Sequence, residues 1–269
     1  CDWSSDVCSS DLIYQMNDNQ KDTLIEAHDI WAAVSLLTRL KVPVDHSRAG
    51  TRANNATWAY PIVGALIGAV SGIIFIGLNL MGLTTGFSAA VTLLVLIAIT
   101  GGMHEDGLAD CADGFWGGQN SIRRLEIMKD SSIGVYGACA LILFLIAEWS
   151  LFELLVSKNP IFTLAGIGAI SRLPMVIAMR IVPNSRNNGL SATVGKPQLI
   201  SVYIAIITTF IIALICFGIS GLLITLVGLL FALPVFLVAK AKIGGQTGDV
   251  LGASQKFAEI AALSTALIL

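Results

Sequence analysis

Charge is scarce in this sequence: aspartate, glutamate, lysine and arginine make up 13% of its 269 residues. Soluble globular domains carry roughly 25% charged residues. The hydrophobic fraction is 55% and the mean hydropathy is +0.79, which excludes an ordinary soluble domain and favours a membrane protein. The net charge of −2 leaves no basic surplus, so a nucleic-acid partner is also excluded.

Neither a cysteine pattern nor a secretory signal peptide is visible in the sequence. Residues 1–12, CDWSSDVCSSDL, resemble nothing downstream and match the translation of a common sequencing adapter, so we expect them to be foreign to the fold. The alternative is a genuine polar tail. The cysteines beyond this stretch have neither metal-ligand nor disulfide-framework spacing: Cys111, Cys139 and Cys216. We predict one membrane-embedded domain over residues 13–269.

Long apolar runs dominate the rest of the chain. A membrane-spanning helix needs about 20 apolar residues, and the candidates are 58–81, 87–103, 133–156, 160–182, 199–217 and 221–240. A further run, 257–269, fits half a span, a truncated span or an interfacial helix. The stretch 30–44 is short and interrupted by Arg39 and Lys41, which favours an interfacial or partly inserted segment over a span. The pattern predicts an all-α, polytopic integral membrane bundle of about six to seven transmembrane helices.

Every second loop between the apolar runs is rich in lysine and arginine. They are concentrated before residue 58 and in three long loops, 104–132, 183–198 and 241–256. The alternate loops are short and hold one lysine among them: 82–86, 157–159 and 218–220. This bias predicts that all the long loops face the cytoplasm, so that motifs in different long loops share one compartment.

Acidic residues crowd into one stretch after the second apolar run, GGMHEDGLADCADGFWGG (101–118). Asp106, Asp110 and Asp113 are spaced i, i+4 and i+7, which puts them on one face of a helix. Like charges at this spacing destabilise a helix, and the interspersed glycines weaken it further, so the stretch indicates a functional site. Three carboxylates suit Mg²⁺, which takes carboxylate, phosphate and water oxygens. The alternative is a solvated acidic helix cap.

Other residues are candidates for contacts with phosphate or for proton transfer. In RRLEIMKDSSIGVYG (123–137), Lys129 and Asp130 fit either a phosphate-binding segment or an exposed helix with ion pairs. Arg172 lies inside an apolar run, where an ionisable residue indicates function, and it is near enough to the loop side to meet a phosphate. His104 adjoins the acidic face and fits a general base, a metal ligand or a neutral hydrogen-bonded histidine.

The stretch KAKIGGQTGDVLGAS (240–254) directly follows an apolar run. Its glycines surround Gln246, Thr247 and Asp249, and clustered backbone N–H groups at such a turn form an anion cradle. The hydroxyl and the carboxylate add ligands suited to a metal–phosphate site; a tight turn with a helix N-cap is the alternative. Together with the acidic face, this stretch predicts phosphoryl or nucleotidyl transfer on the loop side of the membrane.

These stretches resemble the signature segments of the cobalamin synthase family, adenosylcobinamide-GDP ribazoletransferase. The matching segments are GGMHEDGLADCADG, RRLEIMKDSSIGVYG and GGQTGDVLGA, and LLTRLKVPV and YPIVGALIG resemble the N-terminal segments of the family. The order is the same over residues 30–269. Lys41 stands where the family often has Pro. Ser132 stands where it often has Arg, so Arg124 or Lys129 is expected to substitute in a phosphate contact.

The resemblance implies a Mg²⁺-dependent transferase of the bacterial inner membrane, with its active site facing the cytoplasm. It implies that adenosylcobinamide-GDP is joined to α-ribazole, or to its 5′-phosphate, and that GMP is released, in the last steps of cobalamin biosynthesis. Asp106, Asp110 and Asp113 would hold Mg²⁺ and form the catalytic site together with His104. Expected substrate-binding residues are Arg39, Lys129, Asp130, Arg172, Gln246, Thr247 and Asp249.

Two other classes remain open at this stage. The segment DCADG (110–114) is similar to the core motif of CDP-alcohol phosphotransferases, which would release CMP instead of GMP. A cation transporter would use the acidic residues as an ion site, although transporter sites usually lie near the middle of the bilayer. Expected partners are the two substrates and the lipid bilayer, with a homo-oligomer or an association with other cobalamin-pathway enzymes as further expectations.

Overall fold

The structure is a computed structural model that describes residues 25–269. The expected adapter segment 1–12 lies outside these residues. The described chain is helical, and its one β feature is an isolated bridge between Asn184 and Gln246. The α-helices are α1 Ala27–Leu37, α2 His46–Thr51, α3 Tyr60–Leu80, α4 Thr85–Thr100, α5 Met103–Gly117, α6 Ser121–Ile127, α7 Val135–Glu153, α8 Pro160–Ile181, α9 Leu190–Val194, α10 Leu199–Phe217, α11 Ser220–Ile243 and α12 Gly248–Ile268.

Five helical segments within residues 25–269 are long and apolar enough to cross a membrane. They are Ala56–Leu80, Val135–Ser157, Pro160–Ile181, Leu199–Phe217 and Ser220–Ile243. Helices α4 and α5 pass the same test only as a pair bent by 86°, so the total is five, or six if the pair counts as one span. The prediction of an all-α, polytopic membrane bundle is confirmed, with the number of spans at or below the low end of the expected range.

The bend between α4 and α5 is made by two consecutive glycines. Gly101 and Gly102 have φ angles of 68° and 69°, a left-handed conformation that costs a residue with a side chain about 1–2 kcal/mol. The N–H of Gly102 donates to the carbonyl of Ile97 at 2.9 Å, which closes the end of α4. The predicted apolar run 87–103 therefore ends as a helix at Thr100, and the acidic stretch starts a new helix in another direction.

The last helix begins nine residues before the predicted run 257–269. Thr247 caps it, because its Oγ1 accepts a hydrogen bond from the N–H of Val250 at 3.4 Å. Helix α12 packs against α5, α8 and α11 and is buried over most of its length. The prediction began too late because Lys256 reads as a loop residue in the sequence, whereas the fold buries it.

Helices α3 and α8 form the closest helix pair in the bundle. A Cβ atom on Gly64 would overlap the carbonyl oxygen of Gly168, and one on Gly68 would overlap that of Leu164. Small residues at such an interface let two membrane helices approach closely enough for backbone packing. This contact fixes α8, against which α12 then packs.

Contacts bring the long polar loops together at one end of the bundle. The guanidinium of Arg124 donates from Nη1 to the carbonyl of Lys242 at 3.1 Å, which joins the 104–132 loop to the end of α11. The backbone of 183–185 pairs with that of Gln246 through two hydrogen bonds of 2.8 and 2.9 Å. The three long loops that the charge bias predicts to share a compartment thus meet in space.

Candidate active site

Two cavities at the loop end share Asp106 as a lining residue. The first has a volume of about 240 Å³ and also contains four of the predicted site residues: His104, Gln246, Thr247 and Asp249. The second has a volume of about 440 Å³ and contains three more: Arg39, Asp110 and Asp130. The structure therefore gathers eight predicted residues, from four separate stretches of the sequence, around the exposed side chain of Asp106.

A glycine on α5 brings the acidic face against the start of α12. A Cβ atom on Gly107 would lie 2.7 Å from the carbonyl oxygen of Asp249, so only glycine permits this approach. The approach places Asp249 close enough to Asp110 for their carboxylates to repel each other, and Asp106 repels both. Three carboxylates from two helices consequently face one another across the site.

Asp249 carries two hydrogen bonds of its own. Its Oδ2 accepts one from Nη2 of Arg186 at 3.2 Å and one from Oγ1 of Thr247 at 3.1 Å. Burial raises the pKa of Asp249, and the charge of Arg186 and the Thr247 hydroxyl oppose that rise only in part. The Nε of Arg186 is buried in the cavity wall without a hydrogen-bond partner among the described residues, which leaves a donor for an anionic ligand.

Gln246 holds the loop before α9 against the start of α12. Its side-chain amide donates to Asn184, and its Oε1 accepts from the hydroxyl of Ser191 at 2.7 Å. A Cβ atom on Gly245 would overlap the carbonyl oxygen of Pro183, so the two segments lie in backbone contact. Gln246 is 2% exposed, and the contacts it makes build the cavity wall from within.

Asp113 is engaged by backbone groups. Its Oδ2 accepts from the N–H of Gly134 at 2.7 Å, and its Oδ1 accepts from that of Gly137 at 2.9 Å. These donors lie at the N-terminus of α7, where a negative charge is favourable. The carboxylate thus ties α5 to α7, and its expected role as a Mg²⁺ ligand stays a prediction.

The carboxylates at this end of the bundle are candidate ligands for Mg²⁺. Within residues 25–269, no three His, Cys, Asp or Glu side chains are grouped closely enough to hold a metal by themselves. Mg²⁺ is commonly bound by one or two carboxylates, with substrate phosphates and waters as the other ligands. Asp106 and Asp110 meet that requirement, and Asp249 faces them from the start of α12. The residues present therefore fit Mg²⁺ in the company of a phosphate substrate.

Two predicted substrate-binding residues line neither cavity. Arg172 is 1% exposed, and its Nη1 donates to the carbonyl of Gly168 at 3.3 Å and to the hydroxyl of Ser171 at 2.9 Å. Lys129 is exposed on the surface beyond α6. Neither position gives the side chain access to the cavities, so these two expected phosphate contacts stay predictions.

A buried ion-pair cluster lies behind the acidic face. The Nζ of Lys256 contacts the carboxylates of Glu105 and Glu259, each at 3.0 Å, and that of Glu148. Lys256 and Glu148 are each 1% exposed, so neither side chain reaches solvent. The cluster joins α5, α7 and α12, and its only sequence signal is an isolated Lys and Glu within the apolar pattern of α12.

Arg186 is the site residue that the motifs do not identify. It lies in NSRNNG (184–189), a polar loop without a recognisable pattern, and it enters the cavity because this loop folds back onto Gln246. In the sequence, Arg186 is one of the basic residues of a long loop and therefore indicates only membrane orientation. Its contact with Asp249 is seen only in the structure. A long-range contact of this kind leaves no local signal.

Comparisons with known proteins agree with this arrangement. The family model described as cobalamin-5-phosphate synthase matches residues 29–267. The chain is 40% identical over 244 residues to an adenosylcobinamide-GDP ribazoletransferase of Mesorhizobium japonicum, covering 89% of this chain and 93% of the relative. It is 39% identical over 246 residues to that of Bradyrhizobium diazoefficiens, covering 88% and 92%. No solved structure matches. Since the family match extends over the whole bundle and both cavities, the chain belongs to the cobalamin-5-phosphate synthase family.

Proposed function

We propose that this chain is an enzyme that joins adenosylcobinamide-GDP to α-ribazole, or to its 5′-phosphate, and releases GMP in cobalamin biosynthesis. The family membership and the names of the relatives support the choice of substrates. The structural observation that carries the proposal is the meeting of Asp106 with Asp249 and Arg186 in one cavity. Carboxylates and an arginine at one point suit a reaction on a pyrophosphate, where positioning and charge neutralisation dominate.

The reaction exchanges one phosphate ester for another. The 5′-hydroxyl of α-ribazole attacks the phosphorus on the cobinamide side, the bond from that phosphorus to the bridging oxygen breaks, and GMP leaves with that oxygen. Arg186 is placed to bind a phosphate oxygen through its unpartnered Nε. His104 lines the same cavity, and its Nε2 has no hydrogen-bond partner among the described residues. We propose it as the acceptor of the proton from the attacking hydroxyl.

We propose Mg²⁺ as the cofactor, held by Asp106 and Asp110 with support from Asp249. When bound, the ion neutralises charge that develops on the pyrophosphate. The two α5 residues are one helical turn apart, so they present their carboxylates side by side. Arg186 donates a hydrogen bond of 3.2 Å to Asp249, and both residues line the cavity that Asp106 also lines.

The multi-pass helices indicate a membrane protein, and we propose the bacterial inner membrane with the site facing the cytoplasm. The lysine and arginine bias of the long loops supports this orientation. A homo-oligomer, or an association with other enzymes of the pathway, is a further proposal that cross-linking in native membranes tests.

The experiment is a transfer assay on the purified chain in lipid nanodiscs. Adenosylcobinamide-GDP and α-ribazole are supplied with Mg²⁺, and the nucleotide released is identified. We expect GMP in amounts equal to the cobalamin formed, and losses of orders of magnitude for Asp106→Asn or after chelation of the metal. Glu126→Gln is the matched control, since Glu126 is exposed and its ion pair within residues 25–269 is with the exposed Arg123. Absence of GMP, or release of CMP from a CDP-lipid, would overturn the proposal.

A further inference from the structure

An apolar groove lies on the side of α5 that faces away from the acidic residues. It has a volume of about 330 Å³ and is walled by α5, α7, α11 and α12. Leu108 and Phe115 line it from α5, and the rings of Phe144 and Phe257 meet at its base with centroids 4.9 Å apart. The lining residues are apolar or aromatic and none is charged, so the groove suits an apolar ligand better than a polar substrate.

The groove opens toward the outer, lipid-facing surface of the bundle. Pro234 of α11 lines the groove and is exposed. Leu233 of α11 and Leu143 of α7 are also exposed and apolar. Helices α7 and α11 are both membrane-spanning by length and composition. In a bilayer, a groove between two such helices is in contact with the acyl chains of the surrounding lipids.

A cation stands at the loop end of the groove. The Nζ of Lys242 lies 5.3 Å from the ring centroid of Trp116, and Trp116 lines the groove. Lys242 belongs to the last turn of α11, and the guanidinium of Arg124 is bonded to its carbonyl. Across residues 25–269, neither cation forms an ion pair with an acidic side chain. The positive charge is thus available to an anion at the membrane surface.

We propose that this groove binds one acyl chain of an anionic phospholipid, with the lipid phosphate at Lys242 and Trp116 between chain and headgroup. The apolar lining selects the chain, and the unpaired lysine selects the negative headgroup. Aromatic rings commonly occupy this interfacial level in membrane proteins. Because the groove and the acidic face are opposite sides of α5, a bound lipid would support the helix that carries Asp106.

The test uses quenching of Trp116 fluorescence by phospholipids with brominated acyl chains. The chain is placed in nanodiscs of brominated phosphatidylglycerol diluted into phosphatidylcholine, and in the reverse mixture, with Trp116→Phe to isolate the signal of this ring. We expect the wild type to prefer the anionic lipid by roughly fivefold, since one basic residue near an anionic membrane surface contributes about 1 kcal/mol. No transfer activity is needed, so failure of this proposal is distinguishable from failure of the proposed function.

Two variants separate this site from general surface charge. Lys242→Gln should abolish the preference for phosphatidylglycerol, whereas Lys240→Gln, two residues earlier and exposed, should keep it. Ala140→Phe should reduce quenching by both lipids, because it fills the groove from α7. Equal quenching by both lipids in the wild type, or equal loss of preference in the two lysine variants, would overturn the proposal.

Discussion

The buried Lys256 cluster makes a quantitative prediction about stability. One ammonium group contacts three carboxylates, those of Glu105, Glu148 and Glu259, and all lie at or below 7% exposure. Replacing the lysine with methionine keeps most of the side-chain volume and removes the cation that contacts all three carboxylates. Each carboxylate then remains buried in the absence of that charge.

The expected cost of Lys256→Met is about 3–5 kcal/mol, which is typical when one partner of a buried ion pair is removed. Several carboxylates lose their partner at once, so the upper part of that range is expected. Typical unfolding free energies are only about 5–15 kcal/mol, so the variant should be purified in low yield. Its site should also weaken, because Glu105 is the neighbour of Asp106 on α5.

The assay is unfolding in mixed micelles of increasing sodium dodecyl sulfate fraction, followed by tryptophan fluorescence. Lys240→Met is the matched control and should unfold like the wild type, because Lys240 is exposed at the end of α11. The double variant Lys256→Met with Glu148→Gln should be more stable than Lys256→Met alone, since one uncompensated charge is gone. Equal midpoints for Lys256→Met and Lys240→Met would refute the reasoning.

Three further predictions concern the bend and the site. Gly102→Ala should cost about 1–2 kcal/mol in the same unfolding assay because of its left-handed φ, while Gly77→Ala, in open space within α3, should cost nothing. The transfer rate should fall as pH decreases through the raised pKa of Asp249, since the carboxylate must be ionised to pair with Arg186; a rate profile with an acid limb at or below the ordinary aspartate range would contradict this. Gly245→Ala should cost about 1–3 kcal/mol and raise KM by separating the loop from Pro183; an unchanged KM would contradict this.

The sequence predicts those features that depend on local pattern. Helical spacing is sufficient to put Asp106 and Asp110 on one face, and they remain neighbours in the structure. The loop charges predict that the stretch containing Asp249 lies at the same end as the acidic face, because membrane topology allows each loop only two positions. From these two regularities, most of the candidate site follows without a structure.

Features that depend on long-range contacts could not be predicted in this way. The glycine pair 101–102 reads as the end of an apolar run, and the 86° bend follows only from its left-handed backbone. Lys256 reads as a loop residue because two of its three partners, Glu105 and Glu148, lie on other helices. Asp113 shares the spacing of the other aspartates, yet its carboxylate accepts hydrogen bonds from backbone N–H groups at the N-terminus of α7. No residue spacing in the sequence predicts that contact.

The central claim is that α5 and the start of α12 form one site, and a kinetic double-mutant cycle tests it most directly. The transfer rates of Asp106→Asn, Asp249→Asn and the double variant are measured in nanodiscs at saturating Mg²⁺. Residues that act as a unit lose most of the rate with the first substitution, so the account predicts a double variant about as slow as the slower single variant. If the rate loss of the double variant equals the product of the two single-variant losses, the residues act independently, and the account is contradicted.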